Sequence, residues 1–404
     1  MNGLRRRLLA VAIVLGALVA VAPAIQALVP WPESDADRQK RHRQVLDDKT
    51  PSAQDVIDVA GAPMDVNRGK DGSTLLSYCV TEVDDDEGYA AGAWRLYDRK
   101  GKVRAEAAYH TDQWEAPGSC DGSSSFITVE GGFLHESDDF AGPFFLGPAG
   151  KRHLTRSKKP LEHRRGDVLL DRPDQVMLFR RSNLTLAPAK GIRRIAEPDF
   201  SASEMDGQGT IWGYPQTTAP DTRLSWVTRR GHGHRETRSL PGELRGGDLD
   251  ARGGTVAVVL EKRLGREVTG EDKRRFAGLF LSVDNGKSWR TLRNSARAPL
   301  GTLATPGKEV DVQVLGDGRV LLVPYDEDGP TYSNRKTTTP PLLADSPENR
   351  SFHKVTRPTP HLHRIFARGN TLYGIVDAAN SYNLVEGEGL WLSHDGGRSW
   401  SRFP

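Results

Sequence analysis

The sequence predicts an all-β fold of seven four-stranded units closed into a ring, a β-propeller, on three observations. Gly and Pro are frequent, 42 and 25 residues of 404, which suits many short strands joined by turns better than long helices. One phrase, a glycine-bearing turn followed by a short β-rich run, recurs about every 50 residues. No long helical period is evident after residue 50. A four-stranded unit cannot bury both faces alone, whereas a ring of units does so and removes most exposed sheet edges. Units two and three are degenerate, so six or eight blades also fit.

The chain opens on Arg5, Arg6 and Arg7, followed by an apolar run from Leu8 to Val29 that only Pro23 and Gln26 interrupt. Positive charge before an apolar run is the order of an export signal or a signal-anchor helix. The run is long enough to cross a bilayer, and Ala22-Pro23-Ala24 also fits a cleavage site. Residues 1–31 therefore read as a cleaved signal or a retained single-pass anchor. Either leaves the folded part outside the cytoplasm, with the three Arg inside if the anchor is kept. Residues 32–50 are polar without an apolar period and read as a linker, with basic residues at Arg38, Lys40, Arg41 and Arg43. Residues 51–404 are assigned to the propeller.

The repeated phrase falls at 71–78, 131–135, 172–179, 206–214, 252–259, 317–323 and 368–376. Cys79 and Cys120 are the only cysteines. An oxidising compartment permits one disulfide between them; two separate buried thiols are the alternative. Lys and Arg total 56 against 53 Asp and Glu, so no global charge drives binding to nucleic acid.

Two segments match closely: Ser282, Asp284, Gly286 and Trp289 in one, Ser393, Asp395, Gly397 and Trp400 in the other. Both fit Ser-x-Asp-x-Gly-x-x-Trp and both follow an apolar run. An Asp can accept backbone N–H bonds within a turn. Gly can adopt positive φ, and Trp buries a large area on the returning strand. This pattern resembles the Asp-box, or BNR repeat, of the sialidase-like propeller superfamily. The resemblance implies that the boxes are structural and lie away from any active centre, so neither Asp284 nor Asp395 is nominated as catalytic. Tyr97-Asp98-Arg99-Lys100-Gly101 reads as a box remnant.

Sialidases hold the substrate carboxylate with three arginines, the first in an aromatic-Arg-Ile-Pro phrase. Here Phe179-Arg180-Arg181-Ser182 lacks Ile and Pro, and His363-Arg364-Ile365-Phe366 lacks Pro and comes late. The resemblance therefore implies a non-catalytic bacterial member. Its expected role is that of an extracytoplasmic binding or scaffold module for a protein or glycan at the cell surface, without cofactor or metal. The alternative is a sialidase-like glycoside hydrolase, which needs clustered Arg or paired carboxylates at the ring centre.

Asp84-Asp85-Asp86-Glu87 lacks the spacing of a calcium loop. The pairs His232/His234 and His361/His363 lack a third zinc ligand. The polar segments 81–92, 215–223, 261–277 and 324–350 are all expected between second and third strands, on the ring face opposite the boxes. Trp94, Tyr89, Tyr214, Tyr325 and Tyr332 lie in or beside them and are expected to be contact residues.

Overall fold

The computed structural model describes residues 35–69, 71–83, 88–111, 126–129, 132–135, 144–147, 150–153, 156–161, 168–170, 184–187, 191–195, 200–206, 210–215, 222–228, 235–242, 244–266, 272–305, 308–326, 339–358, 364–376 and 389–403. The apolar run at 8–29 lies outside them. Among the described residues, no helix is long and apolar enough to cross a membrane. The chain divides into two compact units, Met1–Gln44 and Val45–Pro404.

Two helices come first, α1 (Asp35–Asp47) and α2 (Ala53–Ala60). Helix α1 falls within the segment read as a polar linker, and α2, eight residues long, follows just beyond it. The start signal of α2 is local: Ser52 Oγ accepts the Asp55 N–H at 3.1 Å, and Gly61 ends the helix at φ 70°.

Strands fill seven four-stranded sheets. The first holds β1 (Asp65–Arg68), β2 (Thr74–Val83), β3 (Gly88–Tyr97) and β4 (Val103–Thr111). The second holds β5 (Phe126–Val129), β6 (Gly132–His135), β7 (Phe144–Gly147) and β8 (Gly150–His153). The third holds β9 (Arg156–Leu161), β10 (Val168–Leu170), β11 (Leu184–Ala187) and β12 (Gly191–Ile195). The fourth holds β13 (Phe200–Met205), β14 (Ile211–Pro215), β15 (Arg223–Val227) and β16 (Arg235–Ser239). The fifth holds β17 (Arg245–Arg252), β18 (Thr255–Arg266), β19 (Asp272–Ser282) and β20 (Arg290–Leu292). The sixth holds β21 (Lys308–Val314), β22 (Val320–Asp326), β23 (Leu342–Ala344) and β24 (Phe352–Lys354). The seventh holds β25 (Arg364–Arg368), β26 (Thr371–Val376), β27 (Gly389–Ser393) and β28 (Ser401–Arg402). Six sheets are antiparallel meanders in chain order. In the third, β9 lies outermost, parallel to β12.

In six of the sheets the repeated phrase is the first turn and second strand, not the first strand; the phrase at 172–179 lies outside the described residues. Where both their faces are buried, the second strands are largely apolar, as in the first half of β18 and in β22. Along β18, Ala257 and Val259 pack toward the sixth sheet, while Val256, Val258 and Leu260 pack toward the fourth. Along β22, Val320 and Leu322 join the fifth sheet's side and Leu321 and Val323 the seventh's. Each fully buried side chain of this kind contributes roughly 1.5–3 kcal/mol.

The seam between the seventh and first sheets is built differently. The first sheet presents Ala91 and Ala93, small residues that leave room. Helix α2 fills it with Ala53, Val56 and Ala60, preceded by Val45 and Leu46, and the same cluster takes in Phe366, Tyr373, Ile375 and Leu390. Gln54 Oε1 accepts from Arg95 at 2.8 Å, and the His110 ring nitrogen meets the Leu46 carbonyl at 2.5 Å. The first strand of the last sheet, β25, also meets β1. The chain thus returns upon itself without a strand exchanged between its first and last sheets.

Candidate binding surface

Both boxes sit between third and fourth strands and share one internal chemistry. Asp284 Oδ1 accepts from Ser282 Oγ and the Ser288 N–H, each at 2.8 Å, and Oδ2 accepts from Ser288 Oγ at 2.5 Å. Asp395 Oδ1 accepts from Ser393 Oγ at 2.8 Å and the Ser399 N–H at 2.9 Å, with Ser399 Oγ on Oδ2 at 2.5 Å. Ser282 and Ser393 in turn accept the N–H of Gly286 and Gly397, each at 2.8 Å. Ser288 and Ser399 were missed as box residues, although they recur before both tryptophans. Bonds from these serines hold the Asp284 carboxyl down near a pKa of about 2, and Asp395 is likewise depressed.

The boxes clasp each sheet to the one before it. Gly286 lies at φ 80°, where an added Cβ would come within 2.6 Å of Trp212 in the fourth sheet. The Gly397 carbonyl accepts the Thr356 N–H at 2.9 Å, and Trp400 Nε1 donates to the Thr356 carbonyl at 2.9 Å. Trp289 stacks on Phe280 at 4.7 Å. The remnant at Asp98 falls at the same place in the first sheet, its Oδ1 accepting the Lys100 and Lys102 N–H groups at 2.8 and 3.0 Å. In the sixth sheet the equivalent turn is held instead by Asn349, which no motif flagged. Its Oδ1 accepts the Val320 N–H at 2.8 Å and its Nδ2 donates to the Gly318 carbonyl at 2.9 Å.

The first strands are linked the other way, each to the next. The first strand of such a meander has one edge without a strand partner, and its N–H and C=O groups must be satisfied otherwise. Asp248 and Asp250 accept the N–H groups of Val312 and Val314 at 2.7 and 2.5 Å. Gln313 Oε1 accepts the Ala367 N–H at 2.6 Å. Arg364 donates to the Met64 carbonyl at 3.2 Å and Arg368 to the Val66 carbonyl at 3.0 Å. Residue numbers rise together in every link, so these first strands run in one direction. The connections from second to third strands therefore gather at one end of the sheets and the boxes at the other.

Asp248, on the first strand of the fifth sheet, is exposed to water. The surrounding protein and the neighbouring Asp311 carboxylate raise its pKa to about 7, and burial raises that of Asp250. A folded pKa above the ordinary 3.8 means that the stabilisation is complete below that value and is lost as pH rises through about 7. The depressed box aspartates act oppositely: their contribution holds above 3.8 and fades as pH falls toward about 2. Urea midpoints should therefore peak in mildly acidic buffer and decline toward neutrality. Asp248→Asn, which keeps an acceptor for Val312, should flatten that decline.

Three of the nominated aromatics are structural rather than presented to solvent. Tyr325 is buried with its hydroxyl 3.4 Å from the Ile365 carbonyl. Tyr214 donates to the Gly247 carbonyl at 2.9 Å. Trp94 is buried against Phe126 and Phe144. The two tyrosines are placed where an amphipathic ring can pack and still find an acceptor. Segments 81–92 and 261–277 are largely strand, and 324–350 contains β23 together with the turn after it. What the end does present is charge: Glu309 is exposed, and the largely buried Glu261 pairs with exposed Arg274 at 3.3 Å.

Arg364 is bound to the Met64 carbonyl, so the nearest match to a sialidase arginine closes the chain upon itself. Phe179–Ser182, Asp84–Glu87, Tyr332, His232, His234, His361 and His363 lie outside the described residues, as does Cys120; the side chain of Tyr89 is not described either. Cys79 is disulfide-bonded. Among the described residues, no group of three or more His, Cys, Asp or Glu side chains is placed to hold a metal ion.

No family model matches the chain, and no curated protein sequence matches it. Among solved structures, it is similar to the N-terminal domain of Nup159 at TM-score 0.38 and 9% identity, over 81% of this chain and 88% of that one. It is similar to the computationally designed Ika8 protein at 0.33 and 8%, over 80% and 95%. For the Pyrococcus horikoshii acylaminoacyl peptidase the values are 0.32 and 9%, over 81% of this chain and only 44% of the peptidase. Likenesses this distant decide neither activity nor ligand.

Proposed function

We propose that the chain is an extracytoplasmic, seven-bladed β-propeller of the Asp-box type that works as a binding or scaffold module for a protein or glycan. Its N-terminal segment holds it at the membrane or is cleaved on export. One observation carries this reading. Among the described residues, five polar side chains of the first strands, Asp248, Asp250, Gln313, Arg364 and Arg368, each serve a neighbouring strand's backbone. The connection end is then the surface left to vary, as binding faces of repeat folds do. The disulfide of Cys79 supports an oxidising compartment, and Cys120 is its proposed partner.

The test places a photo-crosslinking residue at position 309, at the connection end, or at 287, in a box turn, on cells making the full chain. The expected result is a discrete adduct from 309 and none from 287. Equal labelling from both would remove the assigned face. Purified full chain should leave fluorogenic sialosides and other aryl glycosides intact, and turnover that survives repurification would replace the scaffold reading with a hydrolase.

A further inference from the structure

The turn between β3 and β4 keeps the backbone frame of a box and carries different side chains. Asp98 Oδ1 accepts the Lys100 and Lys102 N–H groups, the Asp98 carbonyl accepts the Gly101 N–H at 3.0 Å, and the Asp98 N–H donates to the Lys102 carbonyl at 2.9 Å. Gly101, at φ 79°, completes the reversal. On this fixed frame stand Arg99, Lys100, Lys102 and Arg104, four cations in six residues, all exposed. The turns of the two boxes carry one Lys or Arg each, Lys287 and Arg398. Where each box returns a tryptophan, this turn returns Val103, which is 41% exposed.

Two carboxylates stand near these cations, and both are committed. Asp98 holds the backbone of the turn. Asp71, in the turn between β1 and β2, accepts from the Ser73 hydroxyl at 2.5 Å and the Ser73 N–H at 3.0 Å; these bonds, with a smaller contribution from the Arg104 charge, keep its carboxyl below the ordinary range. Among the described residues, none of the four cationic groups makes a hydrogen bond or an ion pair. The cations also stand together. A Cβ added to Gly72 would lie 3.1 Å from the Arg99 Cβ, and Arg104 acts on Asp71 in that same turn. Arg104 is the extra residue of a β-bulge, between Val103 opposite Tyr97 and Ala105 opposite Leu96, and a bulge re-aims a side chain out of the strand's alternation. A ligand laid across this end of the first sheet comes within reach of all four long side chains.

We infer that this turn docks an anionic polysaccharide, a chain bearing carboxylates or phosphates on successive sugars, with its anions on the guanidinium and ammonium groups and the C–H face of a sugar ring on Val103. A guanidinium fork accepts a carboxylate or phosphate bidentately. Cations spread around a turn call for anions spread along a chain rather than for one small ion. A bilayer would meet the tip first, and the tip is Arg99 and Lys100 with the valine set back on β4, so nothing apolar leads into lipid. Duplex nucleic acid offers phosphates but no apolar surface outside its grooves. The site lies at the opposite end of the sheets from the connection surface proposed above and does not depend on that reading.

The test measures binding of the full chain, purified in a neutral detergent, to immobilised polygalacturonate by interferometry, with the thermal midpoint recorded beside it. The expected result is binding that weakens as salt is raised and that free galacturonate, at equal carboxylate concentration, does not displace. Lys100→Gln/Arg104→Gln should weaken it by about thirtyfold at an unchanged midpoint. Lys287→Gln/Arg398→Gln, which removes the same charge from the box turns, should leave it unchanged. If the first variant lowers the midpoint, Lys100→Gln alone, at the exposed tip, serves in its place with a loss of about fivefold. No binding, equal loss in the two double variants, displacement by the monomer, or tighter binding to polyglutamate, duplex DNA or phosphatidylglycerol vesicles would overturn the inference.

Discussion

Val56→Asp should destabilise the Val45–Pro404 unit by on the order of 4 kcal/mol, because it buries a carboxylate that has no cation to meet. Val56 is 0% exposed, wedged between the alanines of the first sheet and the aromatics of the seventh. For a unit of this size the thermal midpoint should fall by about 5 °C. Val56→Ala should cost about 2 kcal/mol, the transfer of the lost methyls. Asp58, exposed on the opposite side of the helix, is the control, and Asp58→Ala should stay within about 0.5 kcal/mol. Urea unfolding followed by tryptophan fluorescence measures all three. If Val56→Asp behaves like the control, α2 does not wedge the seam.

Asn349→Ala should cost a comparable amount, about 4 kcal/mol, for a different reason. The side chain is fully buried and stands at φ 52°. Its loss leaves the Val320 N–H and the carbonyls of Gly318 and Pro347 without their partner, at about 1–3 kcal/mol for each group left unpaired. Alanine also tolerates positive φ less well than asparagine. Asn349→Gly should recover about 1 kcal/mol of the deficit, since glycine relieves only the backbone part. Equal midpoints for the two variants would show that the backbone conformation carries no part of the cost.

These two residues also mark where the sequence could be read and where it could not. The boxes were legible because the hydrogen-bond partners of Asp284 and Asp395 themselves lie within four residues of them, so the pattern and that geometry are the same object. The second strands were legible where burial on both faces makes them largely apolar. Helix α2 left a signal that was passed over: Pro51, then Ser52 with Asp55 three residues on, ahead of an apolar stripe. Asn349 left none, because two of its three partners, Val320 and Gly318, are reached across the sheet rather than along the chain. The same holds for the first-strand links, whose members stand 54 to 64 residues apart in the fifth to seventh sheets. Tyr214 and Tyr325 misled for a related reason. A tyrosine at a strand end looks the same in sequence whether its hydroxyl meets water or the next sheet's carbonyl.

The links between β25 and β1 set a schedule for biosynthesis. The Met64 and Val66 carbonyls are answered by Arg364 and Arg368, 300 and 302 residues later. At about 5–20 residues per second, the first sheet waits roughly 13 to 50 s for them after its own strands have emerged. During that interval its inner edge and the seam filled by α2 are open to any neighbouring strand. A nascent chain of this design has reason to stay in the keeping of a chaperone until its last fifty residues are made.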